Sequence, residues 1–210
     1  MHCIRSRHSL LPLVGLLVAI VPGQASAQGN APPVTARARA DSARYPYTAA
    51  DIRFMTGMIG HHAQAITMSE LAPSRTDNGA IRTLAARIIN AQRDEIAIMT
   101  RWLRERGQVV ASADHAGHDG HAMMPGMLTP AQLQELTAAR GREFDRLYLR
   151  LMIQHHEGAV TMVTELFGTD GAAQDQTVFR FASDVQVDQR TEIARMQRML
   201  AAILFAPTAP

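Results

Sequence analysis

Met58-Ile59-Gly60-His61-His62-Ala63-Gln64-Ala65-Ile66-Thr67-Met68 returns as Met152-Ile153-Gln154-His155-His156-Glu157-Gly158-Ala159-Val160-Thr161-Met162. The aligned positions keep one offset, 155 − 61 = 94, and each copy carries a histidine pair framed by methionines. The repeat runs outward from there. Asp51 and Phe54 align with Asp145 and Tyr148 at the same offset, and Gln92-x-x-Glu95-Ile96-x-x-Met99-x-x-x-Leu103 matches Gln189-x-x-Glu192-Ile193-x-x-Met196-x-x-x-Leu200 at 189 − 92 = 97. The offset changes between the two motifs, where a turn can absorb it. Each half therefore reads as a helix, a turn and a second helix, and two such hairpins cover their apolar faces most simply by closing on each other as an all-α four-helix bundle.

The helix-length segments fall at about 48–72, 80–106, 130–167 and 174–204. Thr129-Pro130 has the form of an N-cap followed by proline at the first helical position. Gly107, after Arg104-Glu105-Arg106, has the form of a C-terminal stop. Gly141 falls early in the third segment and leaves open whether that segment is one helix or two. Val109-Val110 is the only adjacent valine pair, and no alternation lasts long enough to imply a sheet.

The N-terminus bounds the setting. Arg5 and Arg7 precede an apolar run from Leu10 to Val21, and Pro22-Gly23 leads to Ala25-Ser26-Ala27, the pattern of a secretory signal cleaved after Ala27. The run is well short of the roughly 20 residues that span a bilayer. The expectation is a periplasmic or secreted protein with no stable membrane span after cleavage, a flexible leader over 28–44, and a duplicated helical domain over 45–206. The formal charge of +2 comes from Arg5 and Arg7, so the mature chain is neutral and carries no broad basic field for nucleic acid. The single cysteine, Cys3, leaves with the signal, which excludes disulfides and thiolate chemistry. Lysine is absent throughout, which excludes Schiff-base chemistry and a phosphate-binding-loop lysine.

At about 100° per residue, Phe54, Met55, Met58, Ile59, His62, Ala65 and Ile66 share one broad arc, with His61 and Met68 toward its edge. His62 is expected to lie deeper than His61. His155 and His156 take the equivalent places beside Tyr148, Met152, Ala159 and Val160. Met58 lies one turn before His61 and His62, and Met152 one turn before His155 and His156, so thioether and imidazole share a face. On the second helix of each half, Gln92, Glu95, Met99 and Trp102 form a stripe whose counterpart is Gln189, Glu192, Met196 and Met199. Glu95, Glu192, Gln92 and Gln189 are candidates for supporting the histidines. Met99, Met162 and Met196 read as core filler, as methionines at helical spacing usually are.

Between the halves, in a linker over 112–128, His115, His118 and His121 are followed by Met123, Met124 and Met127 in a Gly-rich, mobile stretch. Imidazole suits oxidised copper, nickel or zinc, whereas thioether favours cuprous copper. Together they favour a copper ion, Cu+ or Cu2+. The competing readings are a histidine-bearing polar linker and, for the paired histidines, a hydrogen-bonded structural network preserved by duplication.

The stretch Asp145 to Met162, followed by Gln189-x-x-Glu192-Ile193-x-x-Met196, resembles the domain-of-unknown-function 305 (DUF305) family, whose pattern centres on Met-Ile-x-His-His-x-x-Ala. The similarity covers about residues 45–205. It implies a ferritin-like helical bundle, metal-associated roles for Met58, His61, His62, Met152, His155 and His156, and kinship with exported copper-binding resistance proteins. The expected partners are a metal ion and a copper-transport or copper-resistance protein. A ferritin-like oxidase ranks second, because the Glu-x-x-His pair that di-iron sites use occurs nowhere in the chain. A metal-free structural or partner-binding bundle ranks third.

Overall fold

The computed structural model describes residues 36, 39–40, 43–110 and 124–205. The signal sequence, nearly all of the leader, and His115, His118, His121 and Met123 of the linker lie outside them. Among the described residues every regular element is helical: α1 Ala49–Glu70, the short α2 Ala72–Arg75, α3 Gly79–Glu105, α4 Pro130–Ala138, α5 Gly141–Phe167 and α6 Gln176–Phe205. No described helix is long and apolar enough to cross a membrane.

Local signals set the boundaries. Thr48 and Asp51 form a reciprocal capping box at the start of α1, and Thr129 and Gln132 form another, with Pro130 in the first turn, at the start of α4. Gly107 takes the left-handed conformation (φ +66°) just after α3, as the stop reading requires. The question left open at Gly141 is resolved as two helices. Ala139 and Arg140 are extended, and Gly141 has φ +55°, a value that costs glycine little and other residues more.

α1 packs along α3 and α5 along α6, giving the two hairpins, and α1 also packs against α5. The core is divided in two. One cluster joins Phe54, Met55, Met58 and Ile59 of α1 to Ala159, Met162, Val163 and Leu166 of α5. The other joins Ala65 and Met68 of α1 to Phe144, Leu147, Tyr148, Leu151 and Met152 of α5. The start of α1 thus lies against the end of α5 and the reverse, so the two helices run antiparallel. The histidine pairs fall where one apolar cluster gives way to the other.

The repeated aspartates explain part of this docking. Asp51 accepts a hydrogen bond at 2.7 Å from the backbone N–H of Ala173, in the turn of the second hairpin. Asp145 accepts one at 2.8 Å from Asn78 Nδ2, in the turn of the first. Each half therefore fastens the other half's turn. At the outer end, Asp175 accepts from Trp102 Nε1 at 3.1 Å and from Arg106 Nη2 at 2.6 Å, with the Arg106 guanidinium 4.4 Å from the Trp102 ring centroid.

Candidate metal centre

Four imidazoles meet at the junction of the two core clusters, all of them buried. The His61 and His155 rings face each other across α1 and α5 with centroids 3.8 Å apart and planes inclined by 39°. Each has its sequence neighbour at its side, His62 at 6.5 Å and His156 at 6.2 Å between centroids. The outer rings meet the carboxylates of the second helices. His156 Nε2 is hydrogen-bonded to Glu192 Oε2 at 2.8 Å. His62 Nε2 lies 2.7 Å from Glu95 Oε2, a short contact that is not aligned as a hydrogen bond. Each half thus places one glutamate beside its outer histidine, hydrogen-bonded in the second half and in short contact in the first. Gln92 and Gln189 are buried nearby, and each leaves its Oε1 without a partner.

Met58 and Met152 are fully buried one turn from the histidine pairs. His61, expected at the margin of the face, is as deeply buried as His62. A strap of chain, Met124 to Leu128, covers it. His61 Nε2 donates to the Pro125 carbonyl at 3.0 Å; a carbonyl can only accept, so the proton sits on Nε2 and Nδ1 keeps its lone pair. Gln64 grips the strap twice, accepting from the Leu128 N–H at 2.7 Å and donating to the Leu128 carbonyl at 3.1 Å. Gln154 Nε2 reaches the Gly126 carbonyl at 3.4 Å. Gly158 lets the strap lie directly on α5, since a Cβ there would stand 2.0 Å from the Pro125 oxygen. Met124 and Met127, expected in a mobile stretch, therefore belong to a fixed segment whose backbone is held on both sides.

Burial and mutual repulsion keep the inner rings neutral. Desolvation, followed by the proximity of His62, lowers the His61 pKa to about 3 in spite of the Pro125 hydrogen bond. His155 is also held well below the ordinary imidazole value, first by burial and then by His61, His156 and His62, with a contact to the His61 backbone, too poorly aligned for a hydrogen bond, opposing them weakly. Neutral imidazole is the form that binds metal. Both ring nitrogens of His155 are buried without a hydrogen-bond partner, as are Nδ1 of His61, His62 and His156. This donor set fits a borderline or soft ion. Among the described residues, however, no three His, Cys, Asp or Glu side chains already stand together as a coordination set. A bound ion would require the imidazoles and the adjacent thioethers to converge further.

The DUF305 profile, described as a domain of unknown function, matches residues 51–200, which include both histidine pairs and both glutamates. The chain belongs to the DUF305 family. A DUF305 protein of Streptomyces coelicolor, provisionally designated as secreted, is 31% identical and superposes with a TM-score of 0.65 over 73% of this chain and 93% of that one. CopM in its Cu(II)-bound form is 30% identical, with a TM-score of 0.59 over 72% of this chain and 95% of CopM; its Cu(I)-bound form gives 28% and 0.55. An uncharacterised protein, L153, of Acanthamoeba polyphaga mimivirus is 45% identical over 56 residues, which are 27% of this DUF305 chain and 37% of L153.

Sequence reading missed the strap and the residues that hold it, Gln64, Gln154 and Gly158. The signal was present in the places where the repeat breaks: Gln64 aligns with Gly158, and Gly60 with Gln154. It also missed Asp188 on α6, whose carboxyl is held above its ordinary value by burial first and then by Glu95, Asp184 and Glu192.

Proposed function

We propose that this DUF305 protein is an exported copper-binding protein, built as a ferritin-like four-helix bundle, that buffers copper in the periplasm or delivers it. The ion is held among His61, His62, His155 and His156, with Met58 and Met152 beside them and Glu95, Glu192, Gln92 and Gln189 behind. The observation that carries this reading is His155, whose two ring nitrogens are buried and unpartnered. A buried polar group left unsatisfied costs about 1–3 kcal/mol, and a metal ion gives such a lone pair a partner. Methionine next to histidine favours copper over zinc, and CopM, similar to this chain over most of its length, is known in Cu(II)- and Cu(I)-bound forms.

His115, His118, His121 and Met123 supply a first point of capture ahead of the bundle, and a copper-transport or copper-resistance protein would receive the ion. Because Met124 to Leu128 is packed, a test of capture should delete 115–123 and spare the strap; unchanged uptake kinetics would eliminate the capture step. One observation favours the metal-free structural bundle instead, namely that no preassembled coordination set stands among the described residues. Anaerobic titration with cuprous ion against a competing chelator, with zinc and ferrous ion in parallel, decides between them. Tight cuprous binding that is lost in the His62→Ala/His156→Ala protein is expected. Binding unaffected by that pair of substitutions rules out their role, and oxygen consumption when the ferrous-loaded protein is afterwards exposed to air would favour the oxidase.

A further inference from the structure

A second set of soft donors lies outside the histidine cluster. Beside the strap is a cavity of about 320 Å³, partly open to solvent, whose wall includes Gly57, Met124, Pro125 and Met162. Met124 Sδ stands 3.2 Å, and Met162 Cε 3.6 Å, from the point where a Cβ on Gly57 would be. Two thioether side chains thus converge on one glycine at the cavity wall. The room for them comes from a break in the repeat, because Gly57 aligns with Leu151. Met162 departs from its own counterpart too: Met68 is fully buried, whereas Met162 is 8% exposed and reaches the cavity. Gly57 precedes His61 by one turn of α1, and Met162 follows His155 by two turns of α5 on the same face. Pro125, the neighbour of Met124, is the residue hydrogen-bonded to His61.

We propose that Met124 and Met162 form a docking site for a soft monovalent d10 cation, cuprous or silver, through which the ion reaches the His61–His155 pair. Thioethers are neutral, soft donors that select such ions. Two of them, with no thiolate or imidazole among the described residues of the cavity wall and with Arg53 and Glu165 as its charged groups, hold the ion loosely enough to pass it on. The route rests on the copper reading above, but the thioether site can be tested apart from it.

The test uses the purified protein carrying 13C-methyl methionine, titrated with silver nitrate in chloride-free buffer. Substoichiometric silver should move the methyl resonances of Met124 and Met162 and leave those of the core residues Met99 and Met196 in place. Met124→Leu, nearly equal in volume, should abolish the shift at Met162 and weaken silver binding at this site at least about tenfold, the scale on which even the supporting partners of a metal ligand act. Met162→Leu should do the same to Met124. In the His61→Ala/His155→Ala protein the methyl shifts should persist, whether or not the copper reading is right. Histidine resonances that respond to silver while both methyls stay still would overturn the docking site and leave the histidine centre standing. Silver that moves neither set would overturn both.

Discussion

Lowering the pH should destabilise this protein through its inner histidines well before its carboxylates are fully protonated. A free imidazole titrates near 6.5, whereas His61 is held at about 3 by burial and by His62. Below pH 6.5 the unfolded chain binds a proton that the folded chain refuses, so stability falls with pH until the folded state also accepts it near pH 3. At pH 5, about 1.5 pH units below the free value, His61 alone should cost about 2 kcal/mol. His155, lowered for the same reason, adds in the same direction. Against a typical domain stability of roughly 5–15 kcal/mol this is a large fraction. The assay is urea unfolding at pH 7 and pH 5, followed by the fluorescence of Trp102, the single and buried tryptophan. The midpoint should fall at pH 5, and fall less in the His61→Asn/His155→Asn protein when each is compared with itself at pH 7. A midpoint that does not move, or a His61 ring proton that titrates near 6.5, would show that the inner rings are not desolvated as the geometry requires.

Gly158→Ala should lose about 1–3 kcal/mol, the usual cost of overpacking, because its methyl would meet the Pro125 carbonyl; a thermal midpoint equal to that of the parent would mean the strap can move aside freely. Gln64→Ala should loosen the strap by removing both hydrogen bonds to Leu128, seen as faster amide exchange at Leu128 and more solvent exposure of His61, with α1 and α3 still protected. Asp175→Ala should cost about 3–5 kcal/mol, since it strands the Arg106 guanidinium; the Arg106→Met/Asp175→Ala protein should recover much of that loss in chemical denaturation.

The hairpins, the inward histidines and the stripe that carries Glu95 and Glu192 could be read from the sequence because each depends on helical period or on the repeat. Asp51 and Asp145 stand out in the sequence as a repeat, but their bonds to Ala173 and Asn78 do not. Those bonds follow from how the hairpins dock, which no local pattern encodes. The burial of His61 is the clearest case of this limit. Its helical position places it at an edge, and only a carbonyl from Pro125, far along the chain, turns that edge into interior. Composition suggests a mobile linker through Met127, yet Gly126 and Gly158 serve there as surfaces of close approach rather than as points of freedom.

The strap makes the two halves of a repeated fold unequal. Two identical hairpins paired about a twofold axis would offer two equal grooves, but a fused chain has one connecting segment and can fill only one of them. With the strap across His61, the repeat-equivalent residues beneath it on α1 and α5 meet different neighbours and are not interchangeable: Gln64 bonds Leu128, whereas its counterpart Gly158 lies directly against Pro125. The two inner imidazoles are inequivalent as a result: the His61 proton is fixed on Nε2 by the Pro125 carbonyl, whereas neither ring nitrogen of His155 has a hydrogen-bond partner to fix its tautomer.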